Sequence, residues 1–271
     1  MTETLNIIAM GDIGTGEIGQ YKVAEGIRNL NNTKPIDFVL GLGDNIYPDG
    51  VGFVNDPQFI EKFEKPYSIV PNNIEFYMTL GNHDYRNRIA PQINYTRKNN
   101  KWYMPGRYYQ FSKSVGGVRA DFFAIDTNLC EMSEKEINQQ KKWLKKQLKT
   151  SKSKWKIVYG HHPWKSSGSH GDSSSVIDKF YQEVLSNKVD VLINGHDHDK
   201  QHIICKGVHL IISGTGCQIR PVDNNKRNYQ NLKFYEETLG YCLLQISRNK
   251  ITFYFLNENN NLEYAYQIDK K

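Results

Sequence analysis

The sequence predicts an α/β protein of a single domain, residues 1–271, built on two β-sheets. Three observations carry that expectation. Apolar, strand-like runs alternate with helical patterns through the first two-thirds of the chain, as an α/β sheet requires. The last third is mostly strands joined by turns, which predicts a second, more antiparallel sheet. No long Pro/Ser/Gly linker and no internal repeat divides the chain.

The elements follow from local pattern. Strands are expected at 5–10 (LNIIAM), 36–42 (IDFVLGL), 74–80 (IEFYMTL), 121–126 (DFFAID) and 156–160 (KIVYG). Further strands are expected at 189–194 (VDVLIN), 208–213 (VHLIIS), 241–247 (YCLLQIS) and 251–256 (ITFYFL). Helices are expected near 18–30, 56–64, 134–149 and 175–187. The densest basic run, KKWLKKQLKTSKSKWK (141–156), carries Trp143, Leu144 and Leu148 at helical spacing, so its lysines form a solvated helix face.

Composition narrows the function. The chain is 38% hydrophobic and 24% charged, ordinary for a soluble globular protein, and long enough to bury a sizeable core. No apolar stretch approaches the roughly 20 residues that span a bilayer, so no membrane partner is expected. The net charge of +6 serves solubility and mildly attracts anionic substrates. It is too dispersed to predict nucleic-acid binding, and a monomer is expected. The start, MTETLNIIAMGD, has no basic segment, long apolar run or cleavage site. Cys130, Cys205, Cys217 and Cys242 lie far apart with no CxxC pair. A reducing, cytoplasmic location is the expectation, although a trimmed secreted chain would look the same.

The chemistry stands at the strand ends. Gly11-Asp12 follows the first strand, Gly43-Asp44-Asn45-Ile46-Tyr47 the second and Gly81-Asn82-His83-Asp84 the third. Gly160-His161 follows KIVY, and Gly195-His196-Asp197-His198 follows VDVLIN. A Gly-Asp pair after one strand is an ordinary turn. Five strands that each end in glycine and then a metal-capable side chain are not. Open α/β sheets bind ligands beyond the carboxyl ends of their strands. Asp12, Asp44, Tyr47, Asn82, His161, His196 and His198 make seven candidate ligands. That is too many for one tetrahedral zinc and suits two metals sharing a bridging carboxylate.

The set GDIG, GDNIY, GNHD, VYGH and GHDH resembles the purple acid phosphatases, a branch of the calcineurin-like metallophosphoesterases. The likeness is to their small, tartrate-resistant type. It runs from AMGDIGTG through DTNLC, WLKKQL and GHHPWKSSGSHG to EETLGYCLLQIS. The wider superfamily usually carries Asp-x-His in its first motif. Here Gly14 stands in place of that histidine and Tyr47 follows Asp44 by three residues, which marks the purple branch.

This resemblance implies two mixed β-sheets packed as a sandwich flanked by helices, the αββα metallophosphoesterase fold. It implies Fe(III) held by Asp12, Tyr47 and His198. It implies Fe(II), Zn(II) or Mn(II) held by Asn82, His161 and His196, with Asp44 bridging. The implied reaction is acid hydrolysis of phosphate monoesters, on small molecules or peptides, by attack of a metal-bound hydroxide. His83 and His170 are placed near the substrate as catalytic residues. His162 is expected to be a pocket residue or to support a ligand, and His202 and His209 to be structural or on the surface.

Two departures from the family qualify the likeness. Only 131–142 (EMSEKEINQQKK) joins DTNLC to the following helix, where small mammalian-type enzymes carry a long loop whose cleavage raises activity. Cys130 matches a family half-cystine, but its partner position falls near Ser175, so that disulfide is not expected. The rival expectations are a metallophosphodiesterase or nucleotide pyrophosphatase on the same fold, and a non-catalytic scaffold.

Overall fold

The structure, a computed structural model, describes residues 3–185, 189–222 and 231–270. The chain runs β1 (Thr4–Met10), α1 (Ile18–Thr33), β2 (Phe38–Gly41), β3 (Glu75–Met78), α2 (Ala90–Tyr95) and β4 (Trp102–Tyr103). It continues with β5 (Tyr109–Val115), β6 (Val118–Ala124), α3 (Glu134–Thr150), β7 (Trp155–Tyr159), α4 (Ser175–Leu185) and β8 (Val191–Asn194). It closes with β9 (Lys200–Cys205), β10 (Val208–Ser213), β11 (Leu232–Glu236), β12 (Gly240–Ser247), β13 (Lys250–Asn257) and β14 (Leu262–Asp269). The last two positions of the expected helix 175–187 lie outside the described residues.

Two mixed seven-stranded sheets result, ordered β14-β13-β12-β1-β2-β3-β4 and β11-β9-β10-β8-β7-β6-β5. Strands β1 to β4 run parallel in the first. Strands β6, β7, β8 and β10 run parallel in the second. These parallel strands are buried on both faces and therefore read as continuous apolar runs.

The last third of the chain does not form a sheet of its own, which corrects the sequence expectation. Strands β12 to β14 add antiparallel to β1, while β9 and β11 add to β10 in the other sheet. Short hairpins suffice for such additions. The β9–β10 turn places Lys206 at φ 50° and Gly207 at φ 79°, the left-handed pair that a two-residue hairpin needs.

Between the sheets lies an aromatic core. The Phe38 ring meets Phe122 edge-on at 5.4 Å, and Phe111 stacks on Phe122 at 4.9 Å, joining β2 to β5 and β6. Truncating a fully buried ring such as Phe122 to alanine would cost about 3–5 kcal/mol. Helices cover the outer faces. α1 buries Val23, Ile27 and Leu30. α3 begins with a capping box between Ser133 and Glu136 and buries Leu144 and Leu148 against the same apolar cluster as Phe180 and Val184 of α4. The helix expected near 56–64 is mainly a single i→i+5 turn, Ile60–Glu64, because Pro66 cannot continue the ladder.

Candidate metal centre

The two sheets align their parallel strands so that five carboxyl ends open onto one rim. Asp12 follows β1, Asp44 and Tyr47 follow β2, and Asn82 follows β3, all from the first sheet. His161 follows β7, and His196 and His198 follow β8, from the second. All seven expected donors meet there. Tyr47 Oη lies 2.9 Å from Asp12 Oδ1, 3.0 Å from Asp44 Oδ2 and 3.3 Å from His198 Nε2. His198 Nε2 lies 3.4 Å from Asp12 Oδ1. His161 Nε2 lies 3.0 Å from Asn82 Oδ1, 3.2 Å from His196 Nδ1 and 3.4 Å from Asp44 Oδ2. Asp44 thus touches both halves of the cluster.

Backbone strain accompanies these contacts. Asp12, Asp44 and His196 are non-glycine residues at φ 58°, 51° and 71°. Such conformations cost of order 1–3 kcal/mol each and gather at functional sites. The motif glycines serve mainly close approach. A Cβ on Gly81 would sit 2.2 Å from Asp44 Oδ1, and one on Gly195 would sit 2.6 Å from Asp12 Oδ2.

The chemistry of the donor set fits cations. His161 is fully buried, and its Nδ1 lies 2.8 Å from the Leu42 carbonyl. Donating there, it leaves a bare Nε2 facing an amide oxygen, a carboxylate and a second imidazole. Asp12, Asp44 and Asn82 Oδ1 also present only lone pairs. Without a cation, charge is rearranged to compensate. Burial opposes a proton on His161, but Asp44 holds its pKa up to about 9. Burial would raise Asp44, yet His161 and His83 take it well below the usual carboxylate range. Burial, then Asp12 and Asp44, push the Tyr47 phenol well above its ordinary value. A phenolate here therefore requires a strongly polarising ion. Burial and the neighbouring histidines keep His196 neutral, and burial lowers His162 to about 3. Neutral imidazoles are the form that ligates metal.

The family model for calcineurin-like phosphoesterase matches residues 5–200. Purple acid phosphatase 7 of Arabidopsis thaliana is 30% identical over 290 residues, covering 99% of this chain and 87% of that protein. The chain belongs to the calcineurin-like phosphoesterases, in their purple acid phosphatase branch. It is accordingly an acid phosphatase, a metal-dependent phosphoric ester hydrolase. Tartrate-resistant acid phosphatase type 5 of Rattus norvegicus is 31% identical over 301 residues, covering 99% of the chain and 91% of that protein. Among solved structures, GAP50, described as the anchor in the inner membrane complex of Plasmodium, superposes with a TM-score of 0.86. It is 25% identical, over 99% of this chain and 89% of that one.

Around these seven candidate donors stands a second ring of residues. The backbone N–H of His83 donates to Asp44 Oδ1 at 2.8 Å, and His83 Nδ1 lies 2.6 Å from the Pro48 carbonyl oxygen. The His170 ring stacks on His196 with centroids 4.1 Å apart. Its SSGSHG loop is tied down rather than free. Buried Asp197 accepts from the His170 N–H and lies 2.9 Å from His170 Nδ1; Ser166 and Ser169 hydroxyls also donate to it. His202 is buried and His209 partly so, both away from the centre, and among the described residues no helix is long and apolar enough to cross a membrane. All four cysteines are free, as expected for Cys130.

Sequence reasoning missed three contributors. Asp84 accepts N–H groups from Gly81 at 2.8 Å, Asn45 at 3.1 Å and Gln92 at 2.8 Å, clamping the loops after β2 and β3 together. Asp197, the acid between the two histidines of GHDH, holds the His170 loop. Arg220 Nη1 lies 2.9 Å from His170 Nε2. The first two stand inside quoted motifs. Nothing in QIRPV signals the third.

Proposed function

We propose that this acid phosphatase hydrolyses phosphate monoesters at a two-metal centre. Asp12, Tyr47 and His198 would hold Fe(III); Asn82, His161 and His196 would hold Fe(II), Zn(II) or Mn(II); Asp44 would bridge. The observation that carries the reading is the convergence of seven lone-pair donors, in contacts of 2.9–3.4 Å, with Asp44 reaching both halves. The hard phenolate and carboxylate donors suit a trivalent ion, and the nitrogen-rich half suits a divalent one. Bound metals would acidify the attacking water and offset charge on the phosphoryl oxygens.

The chain's own residues supply the rest. The water oxygen bonds to phosphorus as the bond to the leaving alkoxide breaks, and that oxygen needs a proton. His83 packs against Tyr47 and His170 against His196. Asp197 fixes the proton of His170 on Nδ1, so Nε2 is the atom that meets the substrate. In this structure Nε2 accepts from Arg220, so it would have to part from Arg220 and take up a second proton before it could protonate the leaving oxygen. A phosphorylated small molecule or peptide is the substrate class this reading implies. GAP50 favours a second reading, a scaffold, because the fold serves there as an anchor. The complete donor set argues against it.

The test is metal analysis of the purified protein with a panel of monoesters and diesters. Two metals per chain and turnover led by monoesters at acid pH are expected. Inactivity with both metals bound would leave the scaffold reading standing.

A further inference from the structure

His162 has no task in this mechanism, yet it stands at the centre. We propose that His162 is a third imidazole donor to the divalent-metal site, beside His161 and His196. The inference rests on the two-metal reading above.

One ring nitrogen from each of His161, His162 and His196 lies within 4.8 Å of the other two. Nitrogens on one five-coordinate zinc, with bonds of about 2.0–2.1 Å, stand roughly 3–3.5 Å apart. The three therefore need to close by about 1–2 Å. The ring of His162 is 4.5 Å from that of His196 at 48°, and 4.9 Å from that of His161 at 83°. Tilted and edge-on rings let nitrogens converge, where parallel stacking would not.

Local backbone explains how two successive residues serve one point. In a continuing strand, His161 and His162 would face opposite sides. The strand stops at Tyr159, and Gly160 turns the chain, so both imidazoles fall on the same rim.

Anchoring supplies the second argument. Thr127 Oγ1 lies 2.9 Å from His162 Nδ1 and also accepts the His162 backbone N–H at 2.9 Å. Tyr181 donates to the His162 carbonyl at 2.7 Å. With Nδ1 engaged, Nε2 is the nitrogen left to ligate. His161 shows the same pattern, with Nδ1 at the Leu42 carbonyl and Nε2 facing the centre. Fixing the far nitrogen is how ligand imidazoles are oriented. The site would then offer three imidazoles, one amide oxygen and a share of Asp44. Such a nitrogen-rich set favours zinc or cobalt over manganese.

Metal-depleted full-length protein, dialysed against zinc alone and against manganese alone, tests this. Wild type, His162→Ala and His162→Gln are compared, with far-UV circular dichroism to confirm the fold. Wild type is expected to hold two zinc ions. In both variants the second zinc should weaken tenfold or more while the first is unchanged, and manganese should weaken less. With cobalt alone, the visible spectrum of the second ion should change in both variants. Unchanged zinc affinity and an unchanged cobalt spectrum in either folded variant would overturn the proposal, even with a raised KM. Fewer than two zinc ions in the wild type would overturn the two-metal reading beneath it.

Discussion

His161, His196 and His198 stand among carboxylates at the strand ends, whereas His202 and His209 stand among tyrosines on the second sheet. In the latter group His202 Nε2 meets His209 Nδ1 at 3.0 Å, and His202 Nδ1 meets the Tyr264 hydroxyl at 3.0 Å. The two rings stack at 5.3 Å, and Phe253 lies 4.8 Å from His202. Each close polar contact there can pair a donor with an acceptor, and neither histidine adopts a left-handed backbone. At the candidate metal centre, carboxylate, amide and imidazole lone pairs converge in excess of the available protons, and Asp12, Asp44 and His196 take left-handed backbone conformations. His161 and His202 are both fully buried, but burial lowers His202 to about 3 while Asp44 overrides burial and holds His161 near 9. Clustering of histidines is therefore a weak sign of a metal site. The carboxylates and the strained loops around them are the strong one.

The comparison breaks most visibly at Asp44. Asp44→Asn should keep the fold, lower kcat/KM by about 10³-fold or more and reduce bound metal below two per chain, because one carboxylate serves both ions. His202→Asn should leave metal content unchanged. Metal analysis and kinetics on both variants check the contrast. Two metals and undiminished activity in Asp44→Asn would refute the bridge.

Asp84 is the next largest effect. Asp84→Ala leaves the N–H groups of Gly81 and Asn45 buried without their acceptor. A loss of about 2–4 kcal/mol is expected. Urea unfolding measures it, and a loss below about 0.5 kcal/mol would mean the loops hold without this clamp.

The smallest effect concerns pH. The folded pKa of His202, about 3, lies below its ordinary 6.5, with burial the main cause and His209 next. Between those values the unfolded chain binds more protons, so stability falls as pH falls through 6.5 toward 3. Metal-free wild type should lose about 1–2 kcal/mol more than metal-free His202→Asn between pH 7 and pH 5. Denaturant midpoints at the two pH values provide the measurement. Equal slopes would show that His202 is free to take up a proton in the fold.

What could be read from sequence follows the same physics. The central parallel strands are doubly buried, so their apolar runs stand out, and each ends in glycine and a donor. Strand β5 was hidden because it carries Gln110, Ser112, Lys113 and Ser114. Strand β9 was hidden because its buried Lys200, Gln201 and His202 find partners at Glu263, Ser166 and Tyr264, far away in the chain. Tertiary pairing makes such residues compatible with burial, and no local pattern reports it. Arg220 is the same case at the site, since it meets His170 only through the fold. The split of the C-terminal strands between two sheets was equally hidden, because a hairpin pattern does not say which strand it joins.

The central claim is that Tyr47 and its neighbours form an iron-binding half of a two-metal centre. Its most direct test is the absorption spectrum of iron-loaded protein, with metal counted on the same sample. Wild type should carry two metals per chain and be violet to pink, from charge transfer between the Tyr47 phenolate and ferric iron. Tyr47→Phe should be bleached while still binding iron. A colourless wild type carrying stoichiometric ferric iron would contradict the assignment.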